Sequence, residues 1–220
     1  MRGKLGNEVF TKNRSGAISR AYVVPSNTIT AYRTLVRGYW ADVVSLWSSV
    51  DANQLLYWQE LNTRVFGKSS IGNRFKMTAR NLFIKCNYSL LCADQLPTLT
   101  PAVYSPYEPC TSLVVNVLSV SNIQVTANSV AKDFTVPLNH VAVISASPSV
   151  SAGINYPRNN FIRIQIVDEL EALDALDVTD KYTDVFGAPV VGQKVFFRCH
   201  FVNVLNGLTA PPVTTSAIVI

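Results

Sequence analysis

Residues 35–61 read LVRGYWADVVSLWSSVDANQLLYWQEL, and all three tryptophans of the chain, Trp40, Trp47 and Trp58, fall in this window. They are either a platform for a ligand or the pins of a small helical unit. Ile29, Tyr32, Val36, Tyr39, Val43, Trp47 and Val50 recur every three or four positions. That spacing places them on one face of a helix, with Trp40 and Val44 widening the stripe. SSVDANQ then breaks the pattern, and Asp51 with Gln54 has the spacing of a capping box. Leu55, Trp58, Leu61 or Asn62, and Val65 form a second stripe, with Gly67 as its stop signal. Trp47 and Trp58 sit inside the stripes and are read as core, since a buried indole contributes a large apolar area and seeks one partner for its N–H. Trp40 lies beside the seam.

Working outward, residues 8–24, EVFTKNRSGAISRAYVV, predict a β-hairpin turning at NRSG, where Gly16 supplies the backbone freedom of a tight turn. Pro25 ends the strand, and Ser26, Asn27 and Thr28 are candidate helix caps. Downstream, Ile71, Phe75, Ala79, Leu82 and Cys86 predict a third helix after Ser69 and Ser70. Residues 1–93 thus form a basic hairpin-plus-helical module. Residues 94–112, DQLPTLTPAVYSPYEPCTS, hold four prolines and read as an extended linker.

Residues 113–220 are strand-rich. SLVVNVLSV, NIQVTAN, KDFTVPL, HVAVISAS, NFIRIQIVD and QKVFFRCHFVNV are short β-type runs, and PPVTTSAIVI follows a turn at Asn206-Gly207. Strands at this spacing predict an antiparallel β-sandwich. The acidic stretch DELEALDALDVTDKYTDVFG interrupts them as a loop or short helix. The fold class is therefore α+β, a hairpin and three helices followed by a sandwich.

Composition bounds the function. The chain is 48% hydrophobic and only 15% charged, against about 25% charged for a typical domain. A poorly charged surface points to coverage by partners. Residues 1–100 hold thirteen Lys or Arg against five Asp or Glu, a net +8, whereas residues 101–220 hold six against nine, a net −3. MRGKLGNEVF lacks the apolar stretch of a secretory leader, and no run of eighteen apolar residues is present for a membrane span. Cys86, Cys92, Cys110 and Cys199 match no zinc or redox spacing and read as free thiols.

Signals of catalysis are weak. His140 and His200 lie in or beside strand-like runs and read as structural. GKSSIG at 67–72 begins like the end of a phosphate loop, but position 62 is Asn and no strand precedes it. Asp168, Glu169, Glu171, Asp174, Asp177, Asp180 and Asp184 lack the glycine and ligand spacing of a calcium loop and read as a solvated acidic face. No cofactor, metal site or enzymatic activity is expected. The candidate contact residues are basic: Arg14 and Arg20 on the hairpin, Arg33 and Arg37 four apart on the first helix, and Arg74 and Arg80, with Lys76 and Lys85, on the third. Clustered cations can bind nucleic acid, yet no aromatics for base stacking are evident among them.

The stretch GKLGNEVFTKNRSGAISRAYVVPSNTITAYRTLVRGYWADVVSLWSSVDANQLLYWQELN resembles a family of uncharacterised phage and prophage proteins common in bacteriophages of Bacteroidetes. The family's glycine-rich start leads to a strand ending near R-x-Y-V-x-P-x-N, here Arg20 to Asn27, and its Q-x-x-x-W matches Gln54 and Trp58. Its usual Asn-Pro-x-Thr is here NTIT, departing at Thr28. SASPSVSAG, YTDVFGAPVVGQKVFFRCHFVN and NGLTAPPVTTSAIVI are similar to a fibronectin-III-like sandwich. The resemblance implies a virion structural protein, made in the host cytoplasm, with other virion proteins and further copies of itself as partners. Head decoration, connector and tail or fibre component all remain open. Two other readings stand beside it: a tail adhesin that binds a host glycan, for which Tyr156 and Tyr182 are the loop aromatics, and a nucleic-acid-binding packaging factor.

Overall fold

The computed structural model describes residues 3–5, 8–13, 16–21, 30–68, 74–101, 109–119, 121–129, 135–156, 161–168 and 171–220. Contacts divide the chain into two compact units, Met1–Thr34 and Leu35–Ile220. The first holds an antiparallel meander of β1 (Gly3–Leu5), β2 (Glu8–Asn13) and β3 (Gly16–Ala21). The expected hairpin is there, Glu8 pairing with Ala21 and Asn13 with Gly16, and β1 extends it.

Helix α1 (Ala31–Leu46) starts at the end of the first unit and runs into the second, where a 3-10 turn, Trp47–Ser49, closes it. Helix α2 (Ala52–Arg64) begins with the expected capping box: the Asp51 carboxylate accepts from the Gln54 backbone N–H, and the Gln54 side chain accepts from the Asp51 backbone N–H. Gly67 is not its terminator. The chain leaves the helix after Arg64 and forms a two-stranded ribbon, β4 (Phe66–Lys68) with β5 (Arg74–Lys76). The third helix, α3 (Ala79–Cys92), therefore starts later than the stripe from Ile71 implies, and Thr78 caps it by accepting from the Asn81 N–H. Arg74 and Lys76 lie on a strand rather than on α3. Ser69, Ser70 and Ile71 lie outside the described residues.

The strand-rich half builds two antiparallel sheets among the described residues. β6 (Cys110–Ser119), β7 (Asn122–Ser129) and β10 (Leu176–Asp177) form one, in the order β10-β7-β6. β8 (His140–Ala146), β9 (Ile162–Val167), β11 (Lys194–Asn203) and β12 (Val213–Ile218) form the other, in the order β12-β11-β8-β9. Of the expected strand KDFTVPL, residues 132–134 lie outside the described residues; Thr135 forms an isolated bridge to Ala172, and Val136 N–H donates to the Glu171 carbonyl. The acidic stretch yields β10 and a short helix, α4 (Thr179–Phe186). Leu113, Val115, Ile123 and Val125 from one sheet meet Ala142, Ile144, Phe197 and Phe201 from the other in one buried core.

The four-stranded sheet is covered on its other face as well. Along β8, Ala142, Ile144 and Ala146 join the intersheet core, while Val141 and Val143 pack with Val202 of β11 against Leu90 and Ala93 at the end of α3. Every residue of β8 is buried. A strand covered on both faces needs apolar side chains at odd and even positions alike, which is why HVAVISA shows so little polar alternation. Arg163 on β9 fastens the same seam: its guanidinium donates to the carbonyl of Cys92, the last residue of α3, and pairs with Asp94 at 2.9 Å. A cation at a helix C-terminus satisfies carbonyls that have no intrahelical partner.

Above this seam lies the helical core of Val43, Trp58, Leu61, Leu82, Phe83 and Cys86. Trp58 is fully buried and donates from Nε1 to the Leu99 carbonyl at 2.7 Å. Trp47 and Trp58 each meet the Phe83 ring edge-to-face, with centroids 5.1 Å apart. Two tryptophans are thus pins, as their spacing implies. The start of the proline-rich segment is strapped to the helices: Thr98 N–H donates to the Asn87 side chain at 2.6 Å, and Leu99 packs on the helical core. Residues 102–108 lie outside the description. Most of α1, the other helices and both of these sheets belong to one compact unit, Leu35–Ile220, so the contact-defined boundary falls after Thr34.

The Asn206-Gly207 turn explains this union. It is not a two-residue hairpin but part of a longer loop, 204–212, between β11 and β12. Asn203 and Asn206 close it, their side-chain oxygens accepting from Leu205 N–H and Leu208 N–H, each at 2.9 Å. Leu208 is thereby inserted into the helical core. Gly207 has φ +70°, and a Cβ there would overlap the Cys86 backbone. Gly207→Ala combines a left-handed backbone with overpacking and should cost about 2–4 kcal/mol in urea unfolding. Gly153→Ala, where a Cβ meets nothing within 4 Å, should change stability little. Equal midpoints for the two variants would contradict this packing.

Candidate functional site

The candidate contact residues divide among separate places. Arg14 lies outside the described residues, and of Arg20 only its position on β3 is described. Arg33 and Arg37 are exposed one turn apart on α1. Arg80 is exposed in the first turn of α3. Arg74 is exposed on β5 beside the exposed Lys76.

Two surfaces stand out. The first is a shallow cleft of about 540 Å3 lined by Val36, Arg37, Trp40 and Tyr88. Trp40 rests edge-on against Tyr88, centroids 6.0 Å apart, and leaves about half its surface exposed. The sequence pattern marks Trp40 as lying beside the seam; Tyr88, on another helix, carries no signal that joins it to Trp40.

The second is the ribbon. Strand alternation places Arg74 and Lys76 on one face together with Phe66, the cross-strand partner of Lys76. Phe75 points to the other face, where its ring covers Gly67 so closely that a Cβ there would come within 2.6 Å of it. Phe66 and Phe75 are both about half exposed. Aromatics are therefore interleaved with the cations here, which the sequence analysis, with Arg74 on a helix, does not provide.

The polar groups of the sheets are mostly accounted for by the fold. His140 is buried, with Nδ1 2.8 Å from the Leu138 carbonyl. Tyr182 is not a loop aromatic: it is fully buried on α4, packs against Phe186 and Phe197, and donates to the Ser147 carbonyl at 3.2 Å. Tyr156 is 85% exposed. All four cysteines are free, and Cys86, Cys110 and Cys199 are buried. Burial pushes the Cys86 thiol up to about 12. Among the described residues no group of three His, Cys, Asp or Glu side chains is placed to hold a metal ion, and no helix is long and apolar enough to cross a membrane.

Three side chains on β11 keep a buried polar atom without a hydrogen-bond partner among the described residues: Arg198 at Nε, His200 at Nδ1 and Asn203 at Nδ2. Burial, and secondarily the charge of Arg198, lower the pKa of His200 to about 4. Arg198 itself stacks over the Phe161 ring, 3.9 Å from the centroid. The pair shares one face of β11 and reads as partly buried packing.

Comparison with protein-family models, curated proteins and solved structures finds no match to this chain. The likeness to phage proteins rests on the quoted residues alone.

A neutral, partly buried His200 gives a signed pH dependence. The unfolded chain takes up a proton near the ordinary histidine value of 6.5, whereas the folded chain does so only near 4. The contribution is complete above pH 6.5 and is lost as pH falls towards 4. Wild type should therefore lose about 3 kcal/mol more than His200→Gln between pH 7 and pH 4. Parallel stability profiles for the two proteins would refute the assignment.

Proposed function

We propose that this chain is a non-catalytic structural protein of a bacteriophage particle, acting by protein–protein assembly. The observation that carries the reading is its surface. A chain with only 15% charged residues exposes Trp40, Leu56, Tyr57, Phe66 and Phe75 on its helical side and Val185, Val190, Val191, Ile218 and Ile220 on its sheet side. Contiguous exposed apolar patches mark surfaces that other proteins cover, and we read these side chains as belonging to such surfaces. The two antiparallel sheets sharing one core support the finer reading of a fibronectin-III-like sandwich, a framework whose loops and edges vary without disturbing the core. The resemblance at Arg20–Asn27 and Gln54–Trp58 supplies the virion setting.

The glycan reading is weakened by Tyr182, which is consumed by the core, and keeps Tyr156 alone of its two aromatics. The nucleic-acid reading gains the ribbon, where Phe66 and Phe75 accompany Arg74 and Lys76.

The decisive experiment is quantitative mass spectrometry of gradient-purified particles from the host that encodes this chain, followed by reconstruction of the particle. The chain should be present at a fixed copy number per particle, with density repeated by the particle's symmetry. Its absence from intact particles would overturn the proposal.

A further inference from the structure

The ribbon and the acidic segment carry opposite, unbalanced charge on one molecule. Residues 61–93 contain Arg64, Lys68, Arg74, Lys76, Arg80 and Lys85 and no Asp or Glu. Residues 168–184 contain Asp168, Glu169, Glu171, Asp174, Asp177, Asp180 and Asp184 against the single cation Lys181. Asp177, Asp180 and Asp184 are exposed on β10 and α4. Arg64 pairs with Glu60 and Arg163 with Asp94, and neither of these ion pairs involves Arg74, Lys76, Asp180 or Asp184.

Both patches are arranged at a cost. Asp180 and Asp184 are four apart on α4, a like-charge spacing that destabilises a helix by roughly 0.2–0.5 kcal/mol. Arg74 and Lys76 stand two apart on the same face of an exposed strand. Each patch also has an exposed apolar companion: Phe66 on the cationic face of the ribbon, and Val185 next to Asp184 on α4. Opposite charge and an apolar companion on each side are the composition of a complementary pair of surfaces.

We infer that the β4–β5 ribbon of one copy docks on the acidic α4 surface of a second copy. The inference rests on the assembly reading above and names the surfaces through which it works. Two different patches meeting in this way make a heterologous, head-to-tail contact, which propagates into a ring or an open chain. Arg74 and Lys76 face Asp180 and Asp184, and Phe66, on the same face of the ribbon, covers Val185. The charge component makes association salt-dependent, since exposed charges are screened within about 8 Å at physiological ionic strength.

Charge reversal with rescue tests this directly. Sedimentation velocity of the full chain at low salt should show concentration-dependent association that weakens at least tenfold in 0.5 M salt. The variants R74E/K76E and D180K/D184K should each weaken association by tenfold or more, and an equimolar mixture of the two should restore it. Both pairs are exposed, and recovery in the mixture also reports that the variants are folded. Wild type that associates but ignores both reversals would overturn the docking surface and leave assembly standing. A wild type that stays monomeric at every concentration and salt would overturn both. If R74E/K76E self-associates normally but loses affinity for a single-stranded oligonucleotide, the ribbon is a nucleic-acid contact and the inference fails.

Discussion

The structure depends on one close approach. Gly207, with a left-handed backbone that residues bearing a Cβ rarely adopt, lies against the backbone of Cys86 on α3. That contact lets Leu208 enter the helical core from a loop that belongs to the sheets. Val141, Val143 and Val202 extend the seam below it, against Leu90 and Ala93. The helices are thus a third layer on the four-stranded sheet, rather than a module tethered to it.

Much else follows from that layer. β8 must be apolar on both faces, and HVAVISA is. Arg163 has a reason to stand in an edge strand, because it reaches the carbonyl end of α3 and pairs with Asp94. The first residues of the proline-rich segment are held by Asn87 and Trp58 instead of hanging between modules. The outer surface of the layer keeps what the seam does not use, namely Trp40, the ribbon phenylalanines and their neighbouring cations.

Local patterns disclosed most of the elements. The Asp51/Gln54 capping box, the stripes holding Trp47 and Trp58, the hairpin around Gly16 and six of the seven strand-like runs are visible because each depends on neighbours a few residues away. The ribbon was hidden for the opposite reason. Ile71, Phe75, Ala79 and Leu82 happen to keep helical spacing, while the feature that makes residues 66–76 a ribbon is Phe75 lying over Gly67, a cross-strand contact. Likewise, Asn206-Gly207 carries a genuine turn signal, but the need for Gly207 comes from α3, more than a hundred residues earlier. The union of helices and sheets was illegible because four prolines resemble a linker whether or not their segment is strapped down. Of the candidate contacts, Arg74 is exposed on a strand rather than on the third helix, and the aromatics that give its surface character became visible only with that strand.

All three tryptophans lie on the helical layer, whereas most strand structure lies below it, so two optical probes separate the layers. The most direct test is urea unfolding of the full chain followed in parallel by tryptophan emission and by far-ultraviolet circular dichroism. A single compact unit spanning residues 35–220 predicts coincident transitions with one midpoint and one slope. An emission change completed at lower urea than the loss of strand signal would show that the helices leave the sheet independently, and would contradict the central claim.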